Sequence, residues 1–184
     1  LKATYGRISR FGLVAFASSF DSIGIFGNNN SDIAAALEVI AGADKKDSTS
    51  SDVNVDNYVE KSELKLDPEK ISIGYIKEYF EEGLDEEIKA GILSKIDSLK
   101  QKGFKVKEIS LPNTRYLIQT YYILTCAEAS SNLSRYDGVR YGLRADNSST
   151  LEAMYVNTRS EGFGEEVKRR IMLGTYVLSA GYYD

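Results

Sequence analysis

Residues 121–142, YYILTCAEASSNLSRYDGVRYG, carry the reading on which the rest of the chain depends. They open apolar and aromatic, pass through the small run Ala127-Glu128-Ala129-Ser130-Ser131, and end in a charged turn, Arg135-Tyr136-Asp137-Gly138. Leu117, Tyr121 and Leu124 recur at helical spacing. The spacing predicts a helix over residues 115–135, with Asn113 or Thr114, just after Pro112, as its N-cap. Alanine and serine on a helix let another backbone approach closely, and an isolated run of this kind packs helices together. Here the run is followed by an Asp-Gly turn signal and by two Arg–Tyr pairs, Arg135-Tyr136 and Arg140-Tyr141. A core would have to desolvate those charges, so the pattern points to a site at the helix end.

Upstream of this helix the period switches. Residues 71–76 read as a strand. Residues 85–102 read as an amphipathic helix with Ile88, Ile92, Ile96 and Leu99 inward and Gly103 at its end. Residues 104–111 read as a second strand. Strand, helix and strand make a βαβ unit with parallel strands, so the fold class is α/β. The carboxylates Glu81, Glu82, Asp85, Glu86 and Glu87 gather at the start of the helix, where its dipole favours negative charge; carboxylates at consecutive helical positions diverge, which argues against a metal site. Residues 12–17, GLVAFA, read as a short buried strand in the same sheet, followed by a turn in which Asp21 either orients backbone amides or caps. Residues 31–41 read as a packing helix, with Ser31 as cap, Ile33, Leu37 and Ile40 on one face, and Gly42 at its end. Residues 44–68 are polar and read as one long surface loop.

Downstream, residues 143–150 read as a loop and 151–158 as a short helix. The segment Ser160-Glu161-Gly162-Phe163-Gly164 reads as a turn, and residues 165–180 as a helix with Phe163, Val167, Ile171, Gly174 and Leu178 on one face. Glu165–Arg169 and Glu166–Arg170 are i,i+4 pairs of favourable polarity on that helix.

Composition removes several chemistries. The 184 residues contain no histidine, so Ser-His-Asp, Cys-His and histidine-metal arrangements are excluded. The single cysteine, Cys126, has no basic sequence neighbour and is expected to be a buried small residue. No Walker or dinucleotide glycine motif occurs. Lys+Arg 23 against Asp+Glu 27 leaves a net charge of −4, which argues against this surface alone gripping a phosphate backbone. No apolar run is long enough to span a membrane, and a cytoplasmic location without membrane contact is expected. Leu1 opens without methionine into dense sequence, and Tyr182-Tyr183-Asp184 closes it as abruptly, so both ends are expected to be interior.

The blocks EASSNLSRYDGVRYG and TRSEGFGEEVKRRIMLGTYVLSAGYYD resemble the amidase signature family and, within it, the A subunits of glutamyl/aspartyl-tRNA amidotransferases. LKATYGRISRFGLVAFASSFDSIGIFG resembles the segment that directly follows the amidase signature and is shared more widely among amidases. The resemblance runs nearly end to end and is weakest over residues 44–69. Ala3 and Ile25 stand where the family pattern has proline.

The resemblance implies one domain over residues 1–184, an interior fragment of a larger amidase domain, with a partial amidase-signature fold: a mixed sheet with packed helices. It implies an enzyme that hydrolyses glutamine to supply ammonia for converting Glu-tRNA(Gln) or Asp-tRNA(Asn). The family's Ser–Ser–Lys set is expected upstream of Leu1, because Ser18-Ser19 lacks the flanking glycines, so the fragment is expected to be inactive alone. The implied partners are the B and C subunits of the amidotransferase. Of these, the B subunit is expected to handle most of the tRNA contact, together with ATP and magnesium; no cofactor is expected in this stretch. An arginine of the KRR stretch and a tyrosine of the preceding small-residue helix recognise glutamine in the family. Here these match Arg170 and Tyr121, with Arg169 and Tyr122 as alternatives. Two other readings remain at this point: a fragment of another amidase signature hydrolase, and a non-enzymatic α/β interaction domain.

Overall fold

The computed structural model describes residues 1–184 apart from 82, 147, 180 and 182–184. Glu82 of the acidic cluster, the last residue of the expected 165–180 helix and the Tyr182-Tyr183-Asp184 end therefore lie outside the described residues. The order of elements is α1 (Asn30–Ile40), α2 (Tyr58–Glu63), β1 (Ser72–Ile76), α3 (Glu86–Gln101), β2 (Lys105–Ile109), α4 (Leu117–Leu133), α5 (Leu151–Gly162) and α6 (Glu165–Val177). The chain divides into two compact units. One is Leu1–Val59 with Gln119–Asp184, and the other is Glu60–Ile118. Among the described residues no helix is long and apolar enough to cross a membrane.

The contiguous unit is the expected βαβ arrangement. β1 and β2 pair in parallel, in register from Ser72↔Lys105 to Ile76↔Ile109, with α3 as the connection. The Asp85 carboxylate caps α3 by accepting from the Glu87 and Ile88 amides at 2.9 and 3.2 Å. At the other end Gly103 takes φ +89°, and the Phe104 amide reaches back to the Leu99 carbonyl at 3.1 Å, which satisfies the last turn. Ile96 is buried, whereas Ile88 and Ile92 of the same stripe are exposed. The sheet has two strands among the described residues; antiparallel pairing appears only as the isolated bridges Lys2↔Gly24 and Ile8↔Ala41.

In the discontinuous unit the core is made of small side chains: Ala3, Ala17, Ala34, Ala129 and Ala145, with Ile8, Cys126, Leu133 and Met154. Small side chains allow close approach, and α6 uses it. A Cβ on Gly174 would stand 1.9 Å from the Cys126 carbonyl oxygen of α4. Beside that crossing the Ser130 and Thr175 hydroxyls are 2.9 Å apart. The Arg159 guanidinium of α5 donates to the Leu133 and Tyr136 carbonyls at 2.9 and 3.2 Å, so a cation terminates α4.

Several expectations are corrected. Residues 12–17 form turns and bends, not a strand: Gly12 has φ +86°, Leu13 and Val14 face solvent, and Asp21 engages the amides that a ladder would need. The cap of α1 is Asn29, whose side chain accepts from the Asp32 amide at 2.8 Å; Ser31 already lies inside the helix. A 3-10 turn, Pro112–Tyr116, leads into α4, so neither Asn113 nor Thr114 caps it. α5 extends through Ser160-Glu161-Gly162, leaving only Phe163 and Gly164 as the break before α6. Residues 44–68 are not one loop, since α2 lies within them. Their first half is tied down: Asp44 accepts from the Ser9 hydroxyl at 2.6 Å and Asp47 from the Arg10 amide at 2.7 Å. Arg7 donates to the Val53 and Asn54 carbonyls and to the Tyr58 hydroxyl at 2.6 to 2.8 Å. Polar bonds from Arg7, Ser9 and Arg10, more than thirty residues earlier, replace the apolar contacts that a composition-based reading looks for.

Candidate functional site

The segment Phe16-Ala17-Ser18-Ser19 is held from several directions. The Asp21 carboxylate accepts from the Phe16 and Ala17 amides at 2.9 and 3.2 Å. Asp21 thus both orients backbone amides and closes the turn. From α4, the Asn132 amide donates to the Phe16 carbonyl at 3.1 Å and to the Ser18 hydroxyl at 2.9 Å. One turn earlier on the same face, Glu128 accepts from the Ser19 amide at 2.9 Å. The Ser18 carbonyl receives the Arg10 guanidinium at 2.5 Å and the Tyr5 hydroxyl at 2.9 Å. Ala17 is completely buried. Among the described residues, neither Ser18 nor Ser19 bonds a lysine.

Arg170 of α6 comes over the same segment. Its guanidinium carbon lies 5.6 Å from the centroid of the Phe16 ring, within the range of a cation–π contact. Its Nε donates to Glu166 at 3.1 Å. Only Nε is used in that bond, and among the described residues the terminal nitrogens of the fork make no hydrogen bond. Arg169 also pairs with Glu166 but is two-thirds exposed and, among the described residues, has no ring beneath it. Glu165 pairs with Lys168 at 2.9 Å, not with Arg169 as the i,i+4 pattern suggests.

Tyr121 and Tyr122 are each about half exposed, with their rings edge to face, centroids 5.4 Å apart. Seven residues separate Tyr121 from Glu128 and eleven separate it from Asn132, so all three fall within roughly 20° of one line along α4, whereas Tyr122 is about 100° round. No hydrogen bond or ring contact joins Tyr121 to Arg170 among the described residues. Tyr121 projects from the helix whose Glu128 and Asn132 grip the Phe16–Ser19 segment, and Arg170 lies over the Phe16 ring of that segment.

Beside the segment, Arg10, Phe11, Ser18, Asp21, Lys46, Asp47 and Arg135 line an open cleft of about 230 Å³. Bonds from the Arg10 amide and from the Thr49 hydroxyl and amide hold the Asp47 carboxyl down at about 2. Asp44 is lowered too, chiefly by the Ser9 hydroxyl. Cys126 is buried, and desolvation pushes its thiol up, the reverse of what a nucleophile needs. Among the described residues no group of carboxylates or cysteine could hold a metal.

The sequence reading named Arg170 and Tyr121 but missed Phe16, Glu128 and Asn132. The available signal was the i,i+4 placement of Glu128 and Asn132, two polar side chains amid alanine and serine. It shows a polar stripe, but not what the stripe holds.

The whole chain, residues 1–184, matches the family described as Amidase. The glutamyl-tRNA(Gln) amidotransferase A subunit of Chlorobium phaeobacteroides is 56% identical over 184 residues, covering 100% of this chain and 38% of that protein. Its counterpart in Acidobacterium capsulatum is 57% identical over 181 residues, covering 98% and 38%. Among solved structures, the same protein from Thermotoga maritima superimposes with a TM-score of 0.63 at 36% identity, over 99% of this chain and 34% of that one. The peptide amidase of Stenotrophomonas maltophilia does so at 0.62 with 22% identity, over 97% and 36%, a likeness of fold alone. The chain spans little more than a third of the length of these relatives.

Proposed function

The chain belongs to the amidase family, and from that premise we propose that it is part of the A subunit of a tRNA-dependent amidotransferase. The whole enzyme hydrolyses glutamine and passes the ammonia on to Glu-tRNA(Gln) or Asp-tRNA(Asn). The observation that carries this reading is the contrast in identity. It is 56% with an amidotransferase A subunit, measured along the full chain, against 22% with a peptide amidase that shares the fold. That contrast also sets it ahead of a general amidase, and family membership sets it ahead of an interaction domain.

In this reading the residues here hold the substrate, and the Ser–Ser–Lys chemistry comes from elsewhere in the protein. A glutamine carries an α-carboxylate that must stay fixed while its side-chain amide is attacked. The open fork of Arg170 suits both carboxylate oxygens, and a planar guanidinium does this better than an ammonium. Its place over Phe16 favours it over Arg169, and the shared α4 face favours Tyr121 over Tyr122 as the second contact. The B and C subunits complete the complex, the former handling tRNA, ATP and magnesium; the location is the cytoplasm. The fragment alone is inactive.

The test uses the full-length protein in complex with its partners. Arg170→Lys keeps the charge and loses the fork. It is expected to raise the KM for glutamine strongly while amidation driven by free ammonia continues, because ammonia bypasses the clamp. Equal loss of both activities would assign Arg170 to the fold or to a contact with a partner instead.

A further inference from the structure

We propose that Phe16 is a positioning residue for Arg170, and that Asn132 is the residue that holds Phe16 in place. This rests on the reading of Arg170 as the carboxylate clamp, and adds to it what sets the aim of the clamp.

An arginine side chain has four rotatable bonds, and one hydrogen bond through Nε to Glu166 fixes the chain without fixing the plane of the fork. The Phe16 ring beneath the guanidinium supplies that second restraint. A ring on an ordinary loop would restrain little, because it would move with the loop. Here the loop cannot move freely. The Phe16 amide is bonded to Asp21 and its carbonyl to Asn132, and the next residue, Ala17, has no exposed surface. Asn132 also donates to the Ser18 hydroxyl, so one side chain spans the segment on both sides of Ala17. Asn132 is anchored in turn by Arg135, which donates to its carbonyl and its side-chain oxygen at 2.8 and 3.2 Å. The route therefore runs from α4 through Asn132 to the Phe16 backbone, and from the Phe16 ring to the fork on α6. Shape and charge at the ring matter separately: leucine at 16 fills much of the space but offers no quadrupole, whereas tyrosine keeps the face.

The experiment compares Phe16→Leu, Phe16→Tyr, Asn132→Ala and Arg170→Lys in the full-length protein with its partner subunits. KM and kcat are measured for glutamine, each normalised to ammonia-driven amidation by the same preparation. Phe16→Leu and Asn132→Ala are expected to raise the glutamine KM about tenfold, equivalent to about 1.4 kcal/mol, with the effect in KM and not in kcat. Phe16→Tyr is expected to keep the parent KM. A raised KM in Arg170→Lys beside an unchanged one in Phe16→Leu and Asn132→Ala overturns the positioning role alone. An unchanged KM in Arg170→Lys overturns the clamp and the platform together. Parallel loss of glutamine- and ammonia-driven activity in Phe16→Leu or Asn132→Ala also overturns it, since that is what a purely structural role predicts.

Discussion

Asp47 shows how much one carboxylate can organise. It accepts from the Arg10 amide, the Thr49 amide and the Thr49 hydroxyl at 2.7 to 3.0 Å, and its side chain is 8% exposed. All three bonds favour the ionised form, so its pKa falls to about 2 in the folded chain, from about 3.9 in an unfolded one. A lowered pKa means that the unfolded chain binds the proton first on acidification. The contribution of Asp47 is therefore complete above about pH 4 and fades as the pH falls towards 2. In the full-length protein, Asp47→Asn is expected to lower the urea midpoint at neutral pH, and the gap from the parent is expected to close on acidification through that window. A gap independent of pH would show that the charge of Asp47 is not what these bonds stabilise. KKDSTSSD contains the Thr49 half of this arrangement, but not the Arg10 half, which comes from a residue 37 positions away.

At the scale of elements, two positions separate packing from pattern. Gly174 brings α6 against the Cys126 carbonyl with no room for a Cβ. Gly174→Ala must push the helices apart, at a cost of about 1–3 kcal/mol or more by the usual range for overpacked cores. Ile96 is the buried residue of α3, and Ile96→Ala is expected to cost about 2–5 kcal/mol. Thermal or urea unfolding of the full-length protein measures both, and a change within error of zero at either site would contradict the packing described. The βαβ unit was legible because β1, α3 and β2 each announce their period locally, and Asp85 and Gly103 mark the helix ends. Residues 12–17 were misread because an apolar run looks like a strand whether or not a partner strand exists. α2, with the six residues YVEKSE, is too short to show a period. In the candidate site, Arg170 and Tyr121 came from family resemblance, with the Glu166–Arg170 spacing as partial support for the arginine. Phe16, Glu128 and Asn132 act across separations of more than a hundred residues, and such contacts leave no local trace.

For the whole molecule, the proposed role is to hold substrate while the Ser–Ser–Lys chemistry comes from elsewhere in the protein, and the net charge of the 184 residues is −4. The isolated chain is expected to hydrolyse no glutamine and to show no salt-sensitive tRNA binding in a filter or anisotropy assay. Glutamine hydrolysis abolished by a substitution within the chain, or micromolar binding that weakens steeply with salt, would contradict that division of labour. The two-unit organisation also sets an order in time. Glu60–Ile118 is one uninterrupted run, whereas the other unit needs both Leu1–Val59 and Gln119–Asp184. The bonds that seat Phe16 and Ser18 come from Asn132, 116 and 114 residues later in the chain. On a ribosome adding about 5–20 residues per second, the segment waits roughly 6–23 seconds after its own synthesis for that partner to be made. By the end of that interval the βαβ unit has all of its residues, while the future clamp platform has only Asp21 and its other near neighbours to hold it. A nascent chain halted early in α4, after Ile118, thus carries a finished insertion and an unfinished site, and translation speed between residues 118 and 132 governs how long that half-built state is exposed to the cell.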